Sequence, residues 1–363
     1  MRKFYIDNIR YLTIIIVVLF HVFYMYNGQD IPGVIGPFHK NQIQDIFQYI
    51  VYPWIMVILF IVSGISSRIY LNSHNNYNFI RDRTIKLLIP SSIGLLVFGW
   101  AQGYYNILLS DVFSKIPQNM NKFTLYLIMC MCGCGVLWFN HVLWINSILL
   151  ILLLRIEKNK IIIYFSNINF LTILSLGLGL WLSSQILNTP IIVVYRFGIY
   201  GFAFFLGYFV FSHEENIKYL ELNYIFLVLL SMILGVSFIC KYFGENYASK
   251  EIFGSKLSIS YCWFTCLSIL GIGKKFFDKE YKFTKFMKKN SYGIYLFHYL
   301  FLSSTAYYLH KYTNFYPFIH YIMICISSFI GSILLYSVMS KIPYIRFLVL
   351  GISVNRMVKI ETK

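Results

Sequence analysis

Charge is scarce in this sequence. Asp, Glu, Lys and Arg make up 12% of its 363 residues, against roughly 25% in an average soluble domain. Hydrophobic residues reach 58% and the mean hydropathy is +0.65, which excludes an ordinary water-soluble globule and favours a chain made for a bilayer. Internal repeats, low-complexity tracts, a Gly-rich nucleotide loop, a nucleophile elbow and a paired-His zinc motif are also missing. The common soluble catalytic frameworks therefore find no support. The seven cysteines (Cys130, Cys132, Cys134, Cys240, Cys262, Cys266 and Cys325) lie in or beside apolar runs. They lack the even count and loop placement of a disulfide framework. Three of them fall in "CMCGC", which has neither zinc-knuckle spacing nor a flanking His or acid, so small apolar thiols in a helix are expected there rather than a metal site.

What the chain does contain is long apolar runs. They cover residues 10–26, 47–70, 87–109, 136–154, 168–187, 192–212, 222–243, 257–273, 291–309 and 318–340. Each is about long enough to cross a hydrocarbon core as a helix, and none shows the short alternating pattern of a barrel strand. The expected fold is all-α: a polytopic integral membrane protein of about ten transmembrane helices, forming one membrane domain over residues 1–363. The first span lacks a small-residue cleavage site, since Tyr24, Met25, Tyr26 and Asn27 follow it, so it is expected to be retained.

A formal charge of +17 raises the question of nucleic acid. The positions of the 31 Lys and Arg answer it: with the amino terminus inside, 23 fall on the cytoplasmic side, seven on the other, and Arg196 lies within a span. The charge reads as topology, with both termini cytoplasmic, and no nucleic-acid partner is expected.

Polar groups inside the spans carry the chemistry. In "DNIRYLTIIIVVLFHVF" Arg10 and His21 are eleven residues apart, which puts them within about 20° of one helix face and about 16 Å apart along the axis. Such a stripe should face the bundle interior or a wet cavity. A neutral imidazole there suits a general base, but it also suits a hydrogen bond between helices. His298, in "SYGIYLFHYLFL", could orient substrate, hold water or simply pack. Arg196, in "YRFGIYGFAFFLGY", has no acid in its span and needs a carboxylate, carbonyl, phosphate or the interface. "FIRDRTIKLLIP" places Arg81, Arg83 and Lys86 in a cytoplasmic loop before a span; Arg83 and Lys86 share a helical face and form either a phosphate clamp or ordinary flanking charge. "LWFNHVLW" gathers Trp138, Phe139, His141 and Trp144 at the outer end of the fourth span, as an aromatic belt or a platform for a sugar ring.

Taken together and in chain order, these stretches resemble the acyltransferase type 3 family of integral-membrane acyl transferases, through nearly the whole chain. "IDNIRYLTIIIVVLFH" resembles its signature of a basic residue, ten residues and a histidine, here Arg10 and His21. "LFIVSGISSR" (Ser63, Gly64), "RTIKLLIP" (Arg83, Lys86, Pro90), "VLWF" (Leu137, Trp138, Phe139), "FAFFLGY" (Phe205, Gly207), "NSYGIYLFH" (Ser291, Gly293, Tyr295, His298) and "IPYIRFLVLG" (Pro343, Arg346, Gly351) complete it. "FYIDNIR" and "LWF" are most similar to the branch containing the succinyl transferase of osmoregulated periplasmic glucan synthesis.

The resemblance implies an O-acyltransferase that moves an acyl group, acetyl or succinyl, from cytoplasmic acyl-CoA to a hydroxyl of a cell-surface or exported carbohydrate or glycolipid. It implies a multi-pass protein of the bacterial cytoplasmic membrane. His21 would be the catalytic base, Arg10 would order the donor end, and Arg83 with Lys86 would meet the coenzyme's phosphates. Trp138, His141, Arg196, Tyr295 and His298 would form the substrate-binding set. Lys86 stands where the family more often has arginine, which weakens bidentate phosphate recognition there. The residues alone leave open a transporter or flippase of a lipid or glycan, because intramembrane His and Arg also mark substrate pathways, although no inverted repeat of spans is visible.

Overall fold

The computed structural model describes residues 3–29, 33–39, 42–110, 120–189 and 194–352. Of the basic residues counted above, Arg2, Lys40, Lys115, Arg356, Lys359 and Lys363 lie outside the described residues. Among the described residues the chain is helical, and the β-type pairing is one isolated bridge between Asn188 and Arg196.

The elements run α1 (Phe4–Tyr24), α2 (Ile46–Leu71), α3 (Asn76–Arg83), a π-helical turn (Thr84–Leu88), α4 (Ile89–Ser91), α5 (Ile93–Leu109) and α6 (Lys122–Cys132). Next come α7 (Trp138–Glu157), α8 (Lys160–Tyr164), α9 (Phe170–Ser184), α10 (Phe197–Phe209), α11 (Glu214–Leu222) and α12 (Tyr224–Tyr242). α13 (Lys250–Phe253), α14 (Lys256–Phe276), α15 (Lys282–Tyr312), α16 (Pro317–Met339) and α17 (Pro343–Leu350) complete the chain.

Within the described residues each of the ten apolar stretches contains a helix, and the fold is that of an all-α polytopic membrane protein. Among the described residues, seven helical runs are long and apolar enough to cross a bilayer by length and composition. α9 and α10 are shorter apolar helices. The stretch 291–309 lies in α15, whose tyrosines, serines and His298 keep it out of the seven. α6, an apolar helix outside the ten stretches, contains Cys130 and Cys132 of "CMCGC", so these two thiols are helical as expected.

The chain divides into two compact units. The first comprises Met1–Val17, Ile46–Phe79 and Ile145–Lys288. Its tightest crossing is α2 on α10, where a Cβ at Gly64 would strike the Phe204 carbonyl and one at Gly207 would strike the Ile61 carbonyl. Two backbones approach this closely only where side chains are absent. That explains physically why Gly64 and Gly207 stand in the two recognisable stretches. α14 packs on α2, α11 and α12 in the same unit.

The second unit comprises Val18–Asp45, Ile80–Trp144 and Lys289–Lys363. α5 and α6 form its closest pair: a Cβ at Gly103 would strike the Met129 carbonyl, and one at Gly133 the Gly99 carbonyl. The glycine of "CMCGC" therefore serves helix packing. Cys130 is buried, Cys134 half-buried and Cys132 exposed, and no group of three His, Cys, Asp or Glu side chains converges among the described residues.

Candidate active site

α1 runs without interruption from Phe4 to Tyr24. Arg10 and His21 are thus carried by one helix, Arg10 in the first unit and His21 in the second.

In the first unit, Lys3, Ile6, Asp7, Arg10, Ser66 and Ile69 line a cleft of about 190 Å³. The Arg10 guanidinium is held from two sides: Nη1 pairs with Asp7 Oδ1 at 3.4 Å, and Nη2 donates to Ser66 Oγ at 2.6 Å. Ser66 donates its own proton to the Val62 carbonyl at 2.8 Å, so its lone pair is left to face the arginine. Lys3 donates to the Ser212 carbonyl at 3.1 Å and pairs with Glu214 at 2.6 Å. Glu214 also lies 3.6 Å from Lys274. Burial pushes the Glu214 carboxyl up, but the two ammonium groups outweigh it and hold the carboxyl below its ordinary range. Asn8, one residue beyond Asp7, donates to the Phe277 and Lys279 carbonyls at 2.6 and 3.0 Å and accepts from the Thr284 hydroxyl at 2.6 Å. The turn between α14 and α15 is thereby tied to α1. The cleft is lined by a guanidinium, an ammonium and one carboxylate, and their net positive charge suits an anionic group.

In the second unit, the structure brings His21 and His298 together. His298 Nε2 stands 3.4 Å from His21 Nδ1, and His298 Nδ1 stands 2.9 Å from both the Ile294 and the Tyr295 carbonyl oxygens. His298 is fully buried, whereas His21 is half-buried. The Tyr299 ring meets the His21 ring edge-on with centroids 5.3 Å apart. Tyr295 donates its hydroxyl proton to the Val136 carbonyl at 2.6 Å.

Arg83 and Lys86 are not in a loop, as expected from the sequence. Arg83 ends α3 and Lys86 sits in the π-turn, within a helical run from Asn76 to Leu109. Pro90 is the cause of the π-turn. Proline has no N–H, and its ring crowds the carbonyl four residues back, here that of Lys86. A widened turn relieves the crowding, and the Tyr292 hydroxyl supplies the missing donor to the Lys86 carbonyl at 2.7 Å. Gly351, with a positive φ of 60°, closes against the same turn, where a Cβ would strike the Ile85 carbonyl. Lys86 Nζ lies 3.6 Å from Asp82 with more than half of the side chain exposed.

Two stretches that the sequence put on opposite sides of the membrane meet in this unit. Trp144 Nε1 donates to Thr84 Oγ1 at 3.0 Å, and His141 Nε2 donates to the Ser91 carbonyl at 2.9 Å. Because the helical run starts at Asn76, Ser91 is already about 22 Å along it, deep enough to meet the start of α7. Trp138 is buried; its ring is edge-on to Phe139, which is edge-on to Tyr295. Trp138, Phe139 and Tyr295 thus form one ring cluster, with Trp138 buried and Phe139 half-buried.

Arg196 belongs to the first unit, at the start of α10. It is buried, donating to the Ala248 carbonyl at 2.6 Å and the Tyr52 hydroxyl at 3.3 Å, with its guanidinium 3.7 Å from the Phe253 ring centroid. The partner that the sequence left open is a carbonyl with aromatic rings.

Ser66 and Tyr299 were missed in the sequence. Ser66 lies one turn past the Ser63–Gly64 element and Tyr299 directly follows His298, but neither helical phase nor motif distinguishes them from neighbouring polar residues.

The family described as an acyltransferase domain matches residues 3–337, nearly the whole chain. No curated protein and no solved structure matches it.

Proposed function

The chain belongs to the acyltransferase type 3 family of membrane O-acyltransferases, and we propose that it passes an acetyl or succinyl group from acyl-CoA to a hydroxyl of a carbohydrate or glycolipid, with His21 as general base. The membrane is the bacterial cytoplasmic membrane, and the acceptor is destined for the cell surface or for export. Transport without covalent chemistry, left open by the residues alone, gives way to acyl transfer on family membership.

The observation that supports this reading most directly is α1. It carries an anchored guanidinium in a cation-lined cleft near its start and a histidine about 16 Å further along. Coenzyme A is anionic, and the start of α1 is cytoplasmic by the distribution of basic residues. Arg10 orders the donor, while Arg83 and Lys86 meet its phosphates as charges in water-accessible positions. The thioester of the donor is the group presented to His21. As the acceptor oxygen attacks the thioester carbonyl, its proton passes to His21; the carbon–sulfur bond breaks and the departing sulfur takes that proton. Tyr295 and Trp138 border the acceptor side. His141 and Arg196, which hold the Ser91 and Ala248 carbonyls, keep the backbone in place.

The test uses purified protein in detergent micelles with acetyl-CoA or succinyl-CoA and candidate glycan acceptors. Wild type releases free thiol in proportion to acceptor, and His21→Ala, folded to the same extent, releases none. A His21→Ala protein with full activity refutes the assignment of the base. Absence of thiol release from wild type with any acceptor favours transport.

A further inference from the structure

We propose that His298 is a positioning residue that fixes the tautomer of His21, keeping the His21 proton on Nδ1 so that Nε2 is the nitrogen that accepts the substrate's proton. This rests on the reading of His21 as base, and both rings lie in the second unit.

Carbonyl oxygens only accept hydrogen bonds. His298 Nδ1 faces two of them at 2.9 Å, those of Ile294 and Tyr295 one turn earlier in α15, so Nδ1 carries the ring proton. The ring is fully buried, and a second proton would make it a buried cation, which burial strongly disfavours. In the neutral ring Nε2 is therefore an acceptor. That lone pair faces His21 Nδ1 at 3.4 Å. Two facing lone pairs would repel, so His21 Nδ1 is the protonated nitrogen and Nε2 the basic one. The backbone of α15 thus sets one tautomer, and that tautomer sets the next. The Tyr299 ring, edge-on to His21 at 90°, opposes the ring flip that would exchange the two nitrogens.

The contact is long for a hydrogen bond, as catalytic contacts commonly are before substrate binds. It strengthens in the reaction. When the acceptor O–H proton moves to His21 Nε2 and the oxygen bonds to the thioester carbon, His21 becomes an imidazolium and its Nδ1–H a charged donor. The carbon–sulfur bond then breaks, the sulfur takes the proton from Nε2, and His21 returns to its starting tautomer. His298 neither gains nor loses a proton, and its stabilisation is largest while His21 is charged, which is the condition for raising kcat rather than lowering KM.

Membrane vesicles from a deletion strain re-expressing each variant provide the test, with labelled acetyl-CoA and succinyl-CoA as donors and label read in the glycan and lipid fractions. In His298→Asn the amide still reaches the α15 carbonyls but not His21; kcat should fall roughly ten- to a hundredfold at nearly unchanged donor KM. In His298→Gln the Oε1 atom replaces Nε2 as acceptor, and most of the loss should be restored. Wild-type kcat in both variants, with His21→Ala inactive, overturns the positioning role and leaves the base reading intact. A raised KM at unchanged kcat also overturns it, because His298 would then bind substrate. So does a His298→Gln protein that accumulates normally yet is as inactive as His21→Ala. Activity in His21→Ala overturns the base reading itself.

Discussion

Replacing Ser66 with alanine removes the acceptor that α2 offers to Arg10. A hydrogen bond to a charged donor contributes about 1.5–3 kcal/mol when sheltered. The Arg10 side chain is one-third exposed and Asp7 Oδ1 remains 3.4 Å away, so water and the carboxylate recover part of the loss; about 1 kcal/mol remains. That corresponds to roughly a fivefold change in an equilibrium. If the guanidinium orders the anionic donor, Ser66→Ala should raise the KM for acyl-CoA about fivefold and leave kcat nearly unchanged, since the contact is made equally in ground and transition states. Ser66→Thr keeps the hydroxyl and should stay near wild type. Arg10→Lys keeps the charge but loses the two-sided fork, and should exceed Ser66→Ala in its effect on KM. The assay is thiol release against acyl-CoA concentration at saturating acceptor. A fall in kcat at constant KM, or an Ala variant indistinguishable from wild type, refutes the role given to the α1–α2 contact.

Three further outcomes follow from the packing. Gly207→Leu forces α2 and α10 apart at the Ile61 carbonyl and should cost about 3 kcal/mol or more, seen as a lower unfolding temperature and loss of monodisperse protein in detergent. Tyr292→Phe leaves the Lys86 carbonyl without its hydroxyl donor, a loss of about 1–3 kcal/mol that thermal unfolding should register, with weaker acyl-CoA binding if Lys86 moves. Glu214 has a folded-state pKa below its unfolded one, because Lys3 and Lys274 outweigh burial. Its stabilisation is therefore full above the ordinary carboxyl range near pH 4.3 and is lost as pH falls through the lower folded value. The unfolding temperature of wild type should drop on acidification across that window more steeply than that of Glu214→Gln.

Much of the fold was legible because a bilayer restricts the choices. An apolar run of about 20 residues becomes a helix whichever neighbours it finds, since its backbone groups have no water to bond. The helical nature of all ten stretches follows from this. α6 is not among the ten because its apolar run, at 11 residues, is too short to cross a bilayer by itself. The loop expected around Arg83 and Lys86 became helix because Pro90 is accommodated by a π-turn and a tyrosine from α15 instead of ending the helix. Nothing local in "RTIKLLIP" announces Tyr292 or Gly351.

The sequence by itself determined the class, the ten apolar helices and the placing of Arg10 and His21 on one of them, because these depend on composition and on residues less than four turns apart. Tertiary structure decided the partners. Ser66 lies 56 residues from Arg10 and His298 lies 277 from His21, and such pairings depend on which helices adjoin. Adjacency is set by where glycines permit backbones to approach, as Gly64 and Gly207 do between α2 and α10. Helical phase can show that a histidine belongs to a polar stripe. Which nitrogen of that histidine holds the proton is decided by the ring facing it across the fold and by the carbonyls behind that ring.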